Sequence, residues 1–155
     1  MEIAVLALGC FWGPEIKFAK LDGVTNTEVG YCGGNSNNTN YEQVCSGKTN
    51  HAEVVKIEFD NTKISYEKIL DFFFEIHDST TLNRQGLDIG VQYRSEIFYI
   101  NENQKIIAEE ILKKNNLKYK DKIVTKISEL KNYCKAEDYH QKYLEKKFNY
   151  VASKH

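Results

Sequence analysis

The apolar run "IAVLAL", from Ile3 to Leu8, is cut off by "GCFWG" and followed at once by Pro14. Small and branched apolar residues without polar alternation read as a short strand buried throughout, so any fold of this chain must cover it. The next five residues break that pattern. Two large aromatics between glycines make a poor strand core and a poor helix interior. Something other than packing is wanted from Cys10, Phe11 and Trp12.

Beyond this point the chain alternates. "PEIKFAKLDG" reads as a helix with Pro14 in its first turn, a buried side through Ile16, Phe18 and Ala19, and Gly23 at its close. "VTNTEVGY" is β-prone and runs into the Gly/Asn-rich "CGGNSNNTN". "AEVVKIEFD" is a second clear strand. "SYEKILDFFFEIHD" is a helix capped by Ser65. After the polar loop "STTLNRQGLDIGVQYR", "SEIFYI" returns to strand, and "NENQKIIAEEILKKNN" predicts a helix with Ile106, Ile107, Ile111 and Leu112 on one side. "DKIVTKISEL" reads as the last strand and "AEDYHQKYLEKKF" as the last helix. The order β-α-β-β-α-β-α-β-α, without a Gly-rich nucleotide fingerprint, points to an α+β two-layer sandwich with helices on one face of a mixed sheet and a ferredoxin-like core. No repeat, linker or low-complexity segment appears, and the chain holds one proline, so a single domain over 1–155 is expected. Two long loops, 31–51 and 78–94, hold much of its irregular polar sequence. Loops of that length in a compact domain are usually functional.

Charge excludes some functions. The net charge of −1 gives no basic footprint for nucleic acid, and glutamates are mixed among the lysines after Lys113. No apolar run is long enough to cross a membrane, and "MEIAVLALGC" has no basic residues ahead of its apolar stretch. A cytoplasmic protein without membrane or nucleic-acid partners is expected. Four cysteines, at 10, 32, 45 and 134, form no CxxC pair. His51 and His77 lack metal-ligand spacing, and neither HExxH nor a zinc-like Cys/His set is present, so no metal is expected.

Cys10 falls where the first strand ends and the first helix begins. Free amides and a helix dipole there favour a thiolate, the form a nucleophile needs. Position alone leaves open an inert buried cysteine. Phe11 and Trp12, in a turn beside it, would serve as walls of a pocket for a small apolar group.

"GCFWG" resembles the signature of the A-type peptide methionine-S-sulfoxide reductases. "GYCGGNSNNTNYEQVCSGKTNHAEVVKIEFD", "HDSTTLNRQGLDIGVQYRSEIFY" and "KAEDYHQKYL" are similar, in order and spacing, to that family's other segments. The resemblance covers most of the chain from Leu8 to about Tyr143. It implies that Cys10 attacks the sulfur of methionine sulfoxide, peptide-bound or free, while Phe11 and Trp12 hold the substrate methyl. It makes Glu53 of "HAE" the acid that protonates the oxygen. Tyr41 and Tyr93 become its hydrogen-bond donors, and Asp88 a supporting group. The residue types suit the reaction. Sulfoxide oxygen leaves poorly unless protonated, and a glutamate serves as acid near neutrality only if burial raises it from about 4.3. Phenols stabilise charge without competing as nucleophiles. His140 is expected to be a hydrogen-bond partner rather than a catalyst.

The product on Cys10 would be a sulfenic acid that a thiol must reduce. Many relatives use a cysteine in a glycine-rich C-terminal tail, whereas "EKKFNYVASKH" has neither residue. The candidates are an external thiol, glutathione with glutaredoxin or thioredoxin, or Cys134 or Cys32 as an internal resolving residue. Cys45 is expected to be structural. No bound cofactor and a monomer are expected. Leu87 stands where relatives often carry a polar residue, which bears on substrate contacts of that loop. Two other readings remain. A thiol hydrolase would pair Cys10 with His51 or His77. A binding module for oxidised methionine would keep Phe11 and Trp12 without needing Glu53.

Overall fold

The computed structural model describes residues 1–153; positions 154 and 155 of the expected 1–155 domain lie outside the described residues. The elements are β1 (Glu2–Leu8), α1 (Trp12–Ala19), β2 (Val24–Cys32), α2 (Tyr41–Cys45), β3 (Ala52–Phe59), α3 (Tyr66–Glu75), β4 (Arg84–Gln85), β5 (Asp88–Ile89), β6 (Ser95–Tyr99), α4 (Glu102–Lys118), β7 (Lys126–Glu129), β8 (Cys134–Lys135) and α5 (Tyr143–Ser153). Turns of 3-10 helix cover Val91–Tyr93 and Asp138–His140.

The main sheet has the order β7-β6-β1-β3-β2-β8. Only the β6–β7 pair is parallel, so the sheet is mixed. Its four middle strands, β6-β1-β3-β2, with α1 and α3 as the crossovers, make the ferredoxin-like core expected from the element order. β1 lies inside the sheet because its sequence is apolar on both faces. Ala4, Leu6 and Leu8 join Phe18 of α1, Leu70 and Phe73 of α3, and Ala108 and Ile111 of α4 in the main core. Val5 and Ala7 pack on the other face with Val54, Cys32 and Phe98, covered by Leu130 and Tyr133. The helices therefore occupy one face, and an irregular segment closes the other.

Ser65 caps α3 as expected, its hydroxyl accepting from the Lys68 amide at 3.1 Å. On α4 the buried side is Gln104, Ala108, Ile111 and Asn115, and Ile106 is exposed. Gln104 goes inside because its amide accepts from the Ile100 N–H and donates to the Ile3 carbonyl. Both long loops contain order that the sequence did not reveal: α2, capped by Asn40, and the β4–β5 hairpin. α1 begins at Trp12, not Pro14, so Phe11 is its N-cap residue. The last helix begins at Tyr143 and not Ala136. Residues before it are held by tertiary bonds that a helix could not make: the Gln141 amide bonds both the N–H and the C=O of Val29, and the Lys142 N–H donates to Glu15 at 2.7 Å.

Candidate active site

Cys10 lies in the tight turn between β1 and α1. Gly9 has φ +95°, and a Cβ on it would come within 2.8 Å of the Gln85 side chain, so only glycine lets the β4–β5 hairpin close on this turn. The Trp12 amide faces the thiol, as the helix start requires, and pulls its pKa down. Burial acts more strongly, and with the negative charges of Glu53 and Asp88 it pushes the thiol up to about 11. The expectation of a resting thiolate is thus overturned: the amide is present, but desolvation outweighs it.

Glu53 points from β3 into the same place. It is 1% exposed. Its Oε1 accepts from the Phe11 N–H at 3.3 Å, and its Oε2 has no hydrogen-bond partner among the described residues. Burial pushes the carboxyl up to about 8; the Phe11 amide opposes this and Asp88 adds to it. Glu53 is consequently a carboxylic acid at neutral pH.

The aromatics are locked around these two groups. Phe11 is buried against Tyr31 and His140, with ring centroids 5.8 and 5.2 Å away. Trp12 stacks on Tyr143 at 4.0 Å, and its indole N–H donates to His140 Nδ1 at 3.0 Å. That bond assigns the His140 proton to Nε2. Burial holds His140 below the usual imidazole range, so it is a neutral acceptor and the hydrogen-bond partner expected of it. Its ring also meets Tyr41 at 4.6 Å. Two supports escaped sequence reasoning, Tyr143 and Glu137. Glu137 accepts from the Tyr31 hydroxyl at 2.8 Å and from the Tyr41 amide at 3.0 Å, tying β2 to α2. Burial works to raise the Glu137 carboxyl, but these donors outweigh it and hold it below its ordinary value. Both residues stand in the segment "KAEDYHQKYL", beside the one histidine that was singled out there.

Tyr41 and Tyr93 are half-buried, and Asp88 is exposed on β5. Burial raises both phenols, Tyr41 strongly and Tyr93 to about 12, and the charge of Glu53 raises each further. Asp88 acts on Cys10, Glu53 and Tyr93 alike. The structure therefore gathers the predicted Cys10, Phe11, Trp12, Tyr41, Glu53, Asp88 and Tyr93 into one cluster.

The other thiols divide. Cys32 is buried on the far face of the sheet, its thiol on the Lys131 carbonyl at 3.2 Å, and burial pushes it up to about 11. Cys134 is half-buried on β8, its thiol 3.6 Å from the Thr39 carbonyl. Cys45, expected to be structural, is exposed on α2 one turn after Tyr41, and of these three thiols it is the one whose charge reaches Cys10. The histidines of the hydrolase reading are engaged elsewhere. His51 bonds the Ser36 carbonyl, and His77 bonds the Phe73 carbonyl and the Ser95 hydroxyl. Among the described residues no group of three or more His, Cys, Asp or Glu is arranged to hold a metal ion, and no helix is long and apolar enough to cross a membrane.

Residues 2–155 match the family model described as peptide methionine sulfoxide reductase. The chain belongs to that family. It is 69% identical over 147 residues to the peptide methionine sulfoxide reductase MsrA of Pelagibacter ubique (strain HTCC1062), covering 95% of this chain and 100% of that protein. Its fold superimposes on methionine sulfoxide reductase A of Corynebacterium diphtheriae with a TM-score of 0.90 at 37% identity, over 94% of this chain and 74% of that one. Mxr1 from Saccharomyces cerevisiae in reduced form gives 0.89 at 38% identity, over 94% and 84%. The same yeast protein in complex with Trx2 gives 0.66 at 28%, over 92% and 84%. Family membership assigns methionine sulfoxide reduction to this chain, which sets aside both the hydrolase and the binding module.

Proposed function

We propose that the chain reduces the S-epimer of methionine sulfoxide, peptide-bound and free, with Cys10 as nucleophile and Glu53 as proton donor, in repair of oxidised proteins in the cytoplasm. The observation that carries this reading is Glu53: a fully buried carboxyl, protonated at neutral pH, with one oxygen left without a partner among the described residues. A sulfoxide oxygen accepts hydrogen bonds and needs a proton, and this group has one to give.

The substrate methyl packs on Phe11 and Trp12, with Trp12 fixed by His140 and Tyr143. Glu53 and the phenols of Tyr41 and Tyr93 bind the oxygen; Asp88 flanks them. As the Glu53 proton passes to oxygen, sulfur becomes electrophilic, the Cys10 thiol releases its proton and a sulfur–sulfur bond forms. Oxygen then passes to Cys10 as that bond breaks. One thiol and one sulfoxide become one sulfenic acid and one thioether, and Glu53 recovers a proton. A high resting thiol pKa suits this sequence, because the free enzyme holds neither charge until the substrate arrives.

The sulfenic acid returns to thiol through an external thiol reductant, thioredoxin or glutathione with glutaredoxin. The yeast relative's complex with Trx2 supports the former. Fully reduced protein mixed with methionine sulfoxide blocked at both ends, without reductant, tests the scheme. One methionine formed and one thiol lost per chain is expected, and none with Cys10→Ser. Two thiols lost would replace the external reductant with an internal disulfide. No methionine from the unaltered protein would end the Cys10 mechanism.

A further inference from the structure

Glu15 stands one turn beyond Trp12 on the same side of α1, and nothing in the proposed chemistry uses it. It is 3% exposed. A glutamate goes so deep only when its oxygens are satisfied, and its partners here come from two distant parts of the chain. Its Oε2 accepts from the Thr27 hydroxyl of β2 at 2.9 Å, and its Oε1 accepts from the Lys142 N–H at 2.7 Å. The Lys142 ammonium donates in turn to the Thr27 carbonyl at 3.0 Å. Three bonds among three residues thus tie α1, β2 and the start of α5 into a ring.

Lys142 is the pivot of that ring. Its φ of +53° lies in the left-handed region, which a lysine seldom takes. Its carbonyl accepts from the Lys146 N–H at 2.9 Å, so the turn at Lys142 sets the direction in which α5 leaves. Tyr143 follows directly, and its ring lies on the Trp12 indole at 4.0 Å with 15° between the planes. The chain before the turn is anchored without Glu15: the Gln141 amide bonds both backbone groups of Val29 and donates to the Ala136 carbonyl. Trp12 is held at its rim by the indole N–H bond to His140. One bond at the rim leaves a ring free to pivot, whereas a ring stacked on its face does not. Tyr143 removes that freedom, and Glu15 aims Tyr143.

We infer that Glu15 is a positioning residue of the substrate pocket: by holding the left-handed turn at Lys142 it seats Tyr143 on Trp12, and so fixes the wall on which the substrate methyl packs. The inference rests on the proposed function, which makes Trp12 that wall. Glu15 then serves binding rather than chemistry. The methyl group takes no part in the proton and sulfur transfers, so its packing is the same in the bound sulfoxide and in the transition state.

Trp12 is the chain's only tryptophan, so its fluorescence reports on the wall alone. Single-turnover rates, taken without reductant at rising concentrations of methionine sulfoxide blocked at both ends, separate binding from chemistry. Glu15→Leu is expected to raise the half-saturating concentration about 10-fold and to leave the limiting rate within about threefold. It should also add a fast component to the decay of Trp12 fluorescence anisotropy. Glu15→Gln should stay within about twofold of the parent in both constants, because its amide oxygen accepts from Lys142 and its NH2 donates to the Thr27 hydroxyl. Tyr143→Leu should match Glu15→Leu, and the double variant should be no worse than either. Should Glu15→Leu fail to fold, Thr27→Val takes one donor from the carboxyl and is expected to raise the half-saturating concentration about threefold. Unchanged binding and anisotropy in the folded variant, a Gln variant as impaired as the Leu one, effects that add in the double variant, or a loss confined to the limiting rate would each overturn the inference. If the unaltered protein forms no methionine from this substrate, the proposed function fails instead, and the anisotropy still decides whether Glu15 holds Trp12.

Discussion

Two buried glutamates on opposite faces of the sheet differ in how this fold treats a carboxyl: one is paired and the other is left almost without partners. Glu96, on β6, faces away from the helices. Arg94 pairs with it at 2.7 Å, and the Ser128 hydroxyl donates to its other oxygen. Glu53, on β3, faces the helices and, among the described residues, has one amide donor at 3.3 Å and an oxygen with no partner. Burial is nearly the same, 4% and 1% exposed, so the partners make the difference. A carboxyl given a cation and a hydroxyl is a structural ion pair. A carboxyl given almost nothing keeps its proton to about pH 8, and with it the ability to act as an acid.

The contrast is sharpest in what removal does. Glu96→Ala leaves the Arg94 guanidinium buried without its counter-charge, which should cost about 3–5 kcal/mol of stability by urea denaturation. Turnover per folded molecule should stay within about twofold. Glu53→Gln should do the reverse: the rate falls by about 100-fold or more, the range for a lost general acid. An unchanged rate would mean that the proton comes from elsewhere.

The same substitution should stabilise the fold. The folded value of Glu53, about 8, lies above its ordinary 4.5, so between these pH values the folded chain binds more protons than the unfolded one. Stability therefore falls as pH rises across that window. A neutral amide escapes the loss, and Glu53→Gln should gain about 2 kcal/mol or more at pH 8. A variant less stable than its parent at that pH would break the comparison. Single-turnover rates should be level below pH 8 and drop about 10-fold per unit above it, as Glu53 ionises. The smallest effect is expected of Tyr93→Phe: about a 10-fold loss of rate with no change in stability.

Much of this was legible in the sequence. The uninterrupted apolar run of β1 required a strand covered on both faces, and the order of elements was enough for the ferredoxin-like core. Cys10, Phe11, Trp12 and Glu53 could be put forward as site residues because each lies in a short contiguous segment that resembles a family motif. What escaped depends on contacts between distant segments. α2 and the β4–β5 hairpin are too short to show periodicity, and they persist because Glu137 holds the Tyr41 amide and Gln85 holds Asp78. The stretch from Ala136 has a helical pattern, but Gln141 and Lys142 find better partners on Val29 and Glu15. The Cys10 thiol was misjudged for a related reason: the helix start is visible in the sequence, whereas the depth of burial that opposes it is not.

The most direct test is the protonation state of Glu53 itself. The infrared carbonyl band of its protonated form is identified as the carboxylic-acid band that Glu53→Gln removes, and is followed across pH in the reduced, substrate-free protein. The account predicts that this band is present at pH 7 and fades through about pH 8. Its absence at pH 7, with a carboxylate band in its place, would show that the buried glutamate has no proton to give and would contradict the mechanism.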